Sequence, residues 1–104
     1  MSYKTIYLPE VLIDIQNAVE WYESQKKGLG IEFFKFLKKH QTLLITKPLS
    51  FSLRYDEVYC LKITKFPYML HYKVEVSNKT VIVLALLHTS RNPIIWKTRN
   101  KTEE

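Results

Sequence analysis

Residues 68–88 constrain the fold more than any other part of this chain. Tyr68 to Val76 reads as a strand, Ser77-Asn78-Lys79 turns it, and Val81 to His88 reads as a second strand. With a period of two, Tyr68, Leu70, Tyr72, Val74 and Val76 face one way and Met69, His71, Lys73 and Glu75 the other. The second strand is apolar on both faces, with Val81, Val83, Ala85 and Leu87 on one side and Ile82, Leu84 and Leu86 on the other. Such a strand is central in its sheet or covered by another layer. It runs into His88-Thr89-Ser90-Arg91-Asn92-Pro93, which brings a histidine and an arginine to one end of the sheet.

The upstream chain supplies that layer. Tyr3 to Leu8 is a short β-like run, and Pro9 suits the first turn of a helix, where a missing N–H costs nothing. From Glu10 to Lys27, Val11, Ile15, Ala18 and Tyr22 recur on one helical face, widened by Leu12, Val19 and Trp21. Lys26 and Lys27 suit the negative helix end, and Gly28-Leu29-Gly30 breaks it without the spacing of a phosphate loop. A second helix is expected from about Gly30 to Thr46, with Phe33, Leu37, His40 and Leu44 as its stripe and Pro48 as its stop. The short break implies an antiparallel helical hairpin. Ser52 to Tyr55 forms a short strand candidate, and Tyr59 to Thr64 alternates. The order β-α-α-β-β-β predicts an α+β domain, an α-hairpin packed on one face of a mostly antiparallel sheet of about four strands. One domain is expected over residues 1–97, with 98–104 a polar, frayed tail.

Sixteen Lys and Arg against ten Asp and Glu give a net charge of +6, which favours anionic partners. Cys60 is the one cysteine, so no intrachain disulfide forms, in keeping with a reducing cytoplasm. Inside a strand pattern it reads as a small apolar filler. The N-terminus has no apolar signal core, and no apolar run nears the ~18 residues that span a membrane. A cytoplasmic protein without membrane contact is expected. Three separated histidines and one cysteine give no metal-ligand spacing, and no cofactor motif is present.

Hairpin register must match core face to core face. Loops at residues 64–67 and 77–80 do this, pairing Ile63 with Tyr68, Leu61 with Leu70 and Tyr59 with Tyr72, then Val76 with Val81, Tyr72 with Ala85 and Leu70 with Leu87. The opposite face then carries a row Lys62–Met69–His88, with Arg91 just beyond it, beside an apolar middle of Met69, Ile82, Leu84 and Leu86. A basic rim against an apolar groove suits an anion-contacting site next to a docking surface.

Four stretches together resemble the RelE/ParE superfamily of bacterial type II toxins, the ParE-like branch most closely. They are Ala18-Val19-Glu20-Trp21-Tyr22, Gly28-Leu29-Gly30-Ile31-Glu32-Phe33, Lys65-Phe66-Pro67-Tyr68, and Val83 through Leu87-His88-Thr89-Ser90-Arg91-Asn92-Pro93. Their order and spacing, more than any one of them, carry the likeness. The resemblance implies a cytoplasmic plasmid-stabilisation toxin held inactive by a cognate antitoxin that wraps it. The groove residues Met69, Ile82, Leu84 and Leu86 are the antitoxin contacts it suggests. It leaves a homodimer and a toxin–antitoxin heterotetramer open.

The resemblance also offers two targets. RelE-like members cut mRNA on the ribosome, and ParE-like members inhibit DNA gyrase. A metal-independent endoribonuclease needs a base, phosphate-binding cations and an acid. Lys62 and Arg91 match two basic positions of that machinery, and His88 titrates in the useful range. Met69 stands where a strand arginine is expected, Cys60 where a second lysine is expected, and Trp96, which cannot shuttle a proton, where a tyrosine is expected. These departures favour gyrase inhibition by binding, with Arg91, Trp96 and Lys62 as target contacts. The ribonuclease reading, with His88, Arg91 and Lys62 catalytic, stands second. An inactive relative or a basic nucleic-acid-binding module stands third. The tyrosines Tyr59, Tyr68 and Tyr72 fall on the core face in this register, which argues against a base-stacking platform.

Overall fold

The computed structural model describes residues 3–55 and 57–89. Strand β1 (Lys4–Tyr7) leads into helices α1 (Pro9–Gln25) and α2 (Leu29–Thr46). A 3-10 turn at Pro48–Ser50 precedes β2 (Ser52–Tyr55), β3 (Val58–Lys62), β4 (Tyr68–Glu75) and β5 (Thr80–His88). The described strands form one sheet in the order β1-β5-β4-β3-β2. β1 runs parallel to β5, and the other neighbours are antiparallel. The expected α+β architecture is present. The sheet has a fifth strand because Ser52–Tyr55 does pair, with β3.

The helices form where the periodicity places them. Pro9 opens α1, and Val11, Ala18 and Tyr22 are its buried positions. Phe33, Leu37, His40 and Leu44 are buried along α2 together with Gly30. The turn between them depends on its two glycines. Gly28 has φ +89, in the left-handed region where a side chain is strained. A Cβ on Gly30 would stand 2.6 Å from the Val19 carbonyl oxygen, so only glycine lets the helices approach this closely. The Glu23 carboxylate accepts the Gly28 N–H (2.9 Å) and the Gly30 N–H (3.0 Å), two donors that the start of α2 leaves without helical partners.

The helices cover one sheet face. Tyr22, Phe33, Phe66 and Tyr68 pack ring against ring there, with centroids 4.9–6.0 Å apart and mostly edge to face. Full burial of a side chain such as Phe33 contributes about 1.5–3 kcal/mol. Tyr72 is fully buried, stacks on Tyr59 and donates its hydroxyl to the Pro48 carbonyl at 2.6 Å. The three sheet tyrosines therefore belong to the core layer, as their alternation implies. His40 fastens α2 to the β3–β4 turn. Its Nε2 accepts the Thr64 N–H (3.2 Å), so its proton sits on Nδ1 and is donated to the Phe36 carbonyl (2.7 Å).

The two hairpins differ in outcome. The β3–β4 register is the expected one, with Tyr59 opposite Tyr72, Leu61 opposite Leu70 and Lys62 opposite Met69, and the Ile63 N–H donating to the Tyr68 carbonyl. The β4–β5 register is not. Glu75 pairs with Thr80, Val74 with Val81 and Tyr72 with Val83, and the ladder then shifts, leaving Leu84 as the extra residue of a bulge. Beyond it His71 pairs with Ala85, Leu70 with Leu86, Met69 with Leu87 and Tyr68 with His88. Before the bulge the pairing is offset from the expected one by two residues, with Tyr72 opposite Val83 and not Ala85, so every side chain keeps its expected face. After it, the faces exchange. Leu86 joins Val81 and Val83 in the core under the helices, while Ala85 and Leu87 cluster apart from it.

Candidate functional site at the end of the central strand

The bulge redistributes the residues expected to form one site. Lys62 is exposed at the end of β3, and its ammonium donates back to the carbonyls of Ile63 (3.3 Å) and Phe66 (3.4 Å) in its own turn. Met69 stands between Lys62 and Leu87, so the row expected to read Lys62–Met69–His88 ends in Leu87 instead. His88 lies one row farther on, opposite Tyr68, with ring centroids 5.4 Å apart in an edge contact. It is half-buried and belongs to the face that carries the helices. Lys62 and His88 thus reach the same end of the sheet from opposite faces. Arg91 and Trp96 fall outside the described residues, as does the tail at 98–104.

The apolar group splits as well. Ile82 and Leu84 stay on the face away from the helices and are buried with Val58, with Leu8 packed against them. Leu86 does not join them. It is a core residue beneath α1, because the bulge turns it over. In the middle of the same outer face, Cys60 and His71 are cross-strand partners, both buried, with Sγ 3.3 Å from Nδ1. The filler reading of Cys60 omitted this hydrogen bond. Alternation shows that the two share a face, but not that a thiol and an imidazole meet.

A feature missing from the sequence reading lies on the helix side. Pairing with β1 ends at Tyr7 opposite Val83, where the Leu8 N–H donates to the Val83 carbonyl (3.2 Å). Past that point α1 serves the edge of β5 in place of a strand, with Asp14 Oδ2 accepting the Leu86 N–H at 3.2 Å. Beside this contact is a cleft of about 270 Å³. Asp14, Asn17 and Trp21 line it from α1, and Tyr68, Leu86 and His88 from the sheet end. Asp14, Asn17 and Trp21 recur at helical spacing on one flank of the apolar stripe, and that polar flank is the signal that could have revealed the cleft.

Among the described residues no group of three or more His, Cys, Asp or Glu could hold a metal, and no helix is long and apolar enough to cross a membrane. Around the β3–β4 turn, the ammonium groups of Lys39 and Lys65 lie 5.6 and 5.2 Å from the Phe36 ring centre. Cation–π contacts hold both charges beside the middle of α2, a fixed attraction for an anionic surface.

Comparison with known proteins agrees with this architecture. The family model described as the ParE toxin of the type II toxin–antitoxin system, parDE, matches residues 6–93. A solved structure of the chromosomal ParDE system of P. aeruginosa is similar with a TM-score of 0.72 at 11% identity, covering 83% of this chain and 95% of that one. A mutant of the E. coli toxin RelE in the free state is similar with a TM-score of 0.71 at 19% identity, over 98% of each chain. A crystal structure of isolated E. coli RelE gives 0.56 at 16% identity, covering 96% of this chain and 98% of that one. No curated protein matches the sequence.

Proposed function

Because this chain belongs to the ParE toxin family of type II toxin–antitoxin systems, we propose that it arrests growth by binding DNA gyrase, and not by cutting RNA. One observation carries the choice: the described side chains suited to RNA cleavage do not converge. A general base and a phosphate-binding cation must act on one phosphate from positions fixed within hydrogen-bond reach of it. Lys62 and His88 project from opposite faces of the sheet, and the ammonium of Lys62 is engaged with its own turn. Met69 and Cys60 take the places where further cations are expected, and the Cys60 thiol is engaged with His71.

Inhibition by binding requires only a complementary surface, in which aromatic and arginine anchors dominate. Arg91, Trp96 and Lys62 fill that role in this reading. The type II family implies a cognate antitoxin. We assign its contact to the outer sheet face around half-buried Met69, since Ile82 and Leu84 are already buried with Val58 and Leu86 lies beneath α1. The protein works in the cytoplasm in this reading, where both the antitoxin and the target are found.

The deciding experiment compares the purified protein in a gyrase supercoiling assay and in cleavage of ribosome-bound mRNA. Supercoiling is expected to be inhibited, with Arg91→Ala relieving inhibition by tenfold or more while the domain stays folded. mRNA cleavage abolished by His88→Ala or Lys62→Ala overturns the proposal in favour of the RelE-like reading. Co-expression with the neighbouring open reading frame is expected to yield a stable complex. Met69→Glu, half-buried on the outer face, is expected to weaken that complex at least tenfold without loss of fold.

A further inference from the structure

The net charge of this chain is concentrated in its middle. Residues 33–74 hold eight Lys and Arg against two acids, a balance of +6 that equals the charge of the whole chain. Residues 1–32 hold three Lys against five acids. The basic segment reaches the surface on α2 and on the β3–β4 turn, where Lys35, Lys38, Lys39 and Lys65 are all exposed. Lys35 stands three and four residues before Lys38 and Lys39, so like charges meet on one flank and oppose the helix that carries them. The Lys38 ammonium lies 5.6 Å from the Phe34 ring centre, and those of Lys39 and Lys65 lie 5.6 and 5.2 Å from that of Phe36. A ring face holds an ammonium in place without cancelling its charge. The four cations are thus exposed and gathered, and three of them are positioned before any ligand arrives.

We infer that this lysine ridge docks on the phosphate backbone of duplex DNA. Neighbouring lysines follow a row of phosphates, an attraction that carries no sequence information. An acidic protein suits the ridge less well. Carboxylates are matched by the planar fork of arginine, and each of the four cations is a lysine. A single strand needs open aromatic faces on which its bases stack. The sheet tyrosines belong to the core layer, and the Phe34 and Phe36 rings already carry lysine ammonium groups. With its side chains, α2 is a rod about 10–12 Å across. The roughly 12 Å major groove of B-DNA admits such a rod, and the deep, narrow groove of an RNA duplex does not. The ridge is separate from the residues assigned to the target, although the choice of DNA rests in part on the gyrase reading, because gyrase acts on a duplex.

The test is fluorescence anisotropy of the full chain with a short labelled DNA duplex, an RNA duplex of the same sequence, the single DNA strand and a polyglutamate peptide. The DNA duplex is expected to bind saturably, with affinity falling roughly 100-fold from about 50 to 200 mM salt, as four phosphate contacts require. The other three probes are expected to bind at least tenfold more weakly. Lys38→Gln with Lys39→Gln, both at exposed helix positions, is expected to lower duplex affinity tenfold or more and to flatten the salt dependence. Lys4→Gln with Lys26→Gln removes the same charge elsewhere on the surface and is expected to change affinity less than threefold. Equal losses in the two double variants overturn the inference, because net charge alone would then be at work. Equal or tighter binding of the RNA duplex, the single strand or polyglutamate also overturns it, as does the absence of saturable binding. Duplex binding in the expected pattern by a protein that leaves supercoiling unaffected supports the ridge and removes only the gyrase reading. Inhibited supercoiling without duplex binding keeps that reading and overturns the ridge.

Discussion

The two halves of β5 have nearly the same apolar composition and different surroundings. From Thr80 to Val83 the strand is walled on both edges, by β1 and by β4. Val83 stands between Tyr7 and Tyr72, and burial raises the pKa of both phenols, that of Tyr7 to about 12. From Ala85 to His88, among the described residues, only β4 continues. One side-chain carboxylate serves the other edge, and a cleft opens beside it. The residue between the halves, Leu84, is the bulge. Backbone pairing on both edges makes the first half scaffold, and its loss on one edge makes the second half available for recognition. Bulges commonly mark such a transition, because the extra residue redirects every side chain after it.

Deleting Leu84 tests this division most severely. The deletion removes a fully buried side chain and leaves an unbroken ladder in which Ala85 stays opposite His71 and Leu86 opposite Leu70, without the bend that carries them past the end of β1. The deletion is expected to cost at least as much as a Leu→Ala change in a core, about 2–5 kcal/mol in urea unfolding. A deletion variant as stable as the parent would show that the bulge does not organise the second half.

Asp14→Ala probes the substitute edge. It leaves the Leu86 N–H without its acceptor and is expected to cost about 1–3 kcal/mol. Asp14→Asn is expected to recover most of that loss in the same unfolding experiment. Equal costs for the two variants would mean that charge, and not the hydrogen bond, stabilises the edge.

The mildest test addresses the walled half through pH. Tyr7 has a folded-state pKa of about 12 against an ordinary value of 10, because burial disfavours the phenolate. Its neutral form is the one the fold accommodates, so this contribution is complete below pH 10 and is lost as pH rises toward 12. Thermal unfolding between pH 9 and 12 is expected to steepen above pH 10. Tyr7→Phe is expected to flatten that slope, an effect of about 1 kcal/mol near pH 11. An unchanged slope would indicate that water reaches this half as well.

What could be read from the chain depended on whether a strand's two faces differ. In β3 and β4, Leu61 and Leu70 face the helices while Lys62 and Met69 face away, so the pattern had a phase and the register followed from it. The helical stripes had the same advantage, since Phe33, Leu37, His40 and Leu44 stand out from the lysines around them. In β5 every residue from Val81 to Leu87 is apolar and buried, and a slip costs nothing in polarity. No local signal marked Leu84 as the extra residue. It is set by how Leu86 and Leu70 fill the space under α1, a property of the assembled core. The candidate site inherited that error, with His88 and Leu86 assigned to the wrong face. Asp14 passed unnoticed because its partner is a backbone N–H 72 residues away.

The parallel pairing of β1 with β5 also bears on how the protein is made. Lys4 is matched to Thr80 and Tyr7 to Val83, so β1 is synthesised long before the strand it pairs with. Loop-closure entropy delays such a contact until the rest of the fold brings its ends together. A chain interrupted before β5 has no central strand, no partner for β1 and no cleft. For a type II toxin this links function to completion, because the sheet faces described above do not exist on an unfinished chain.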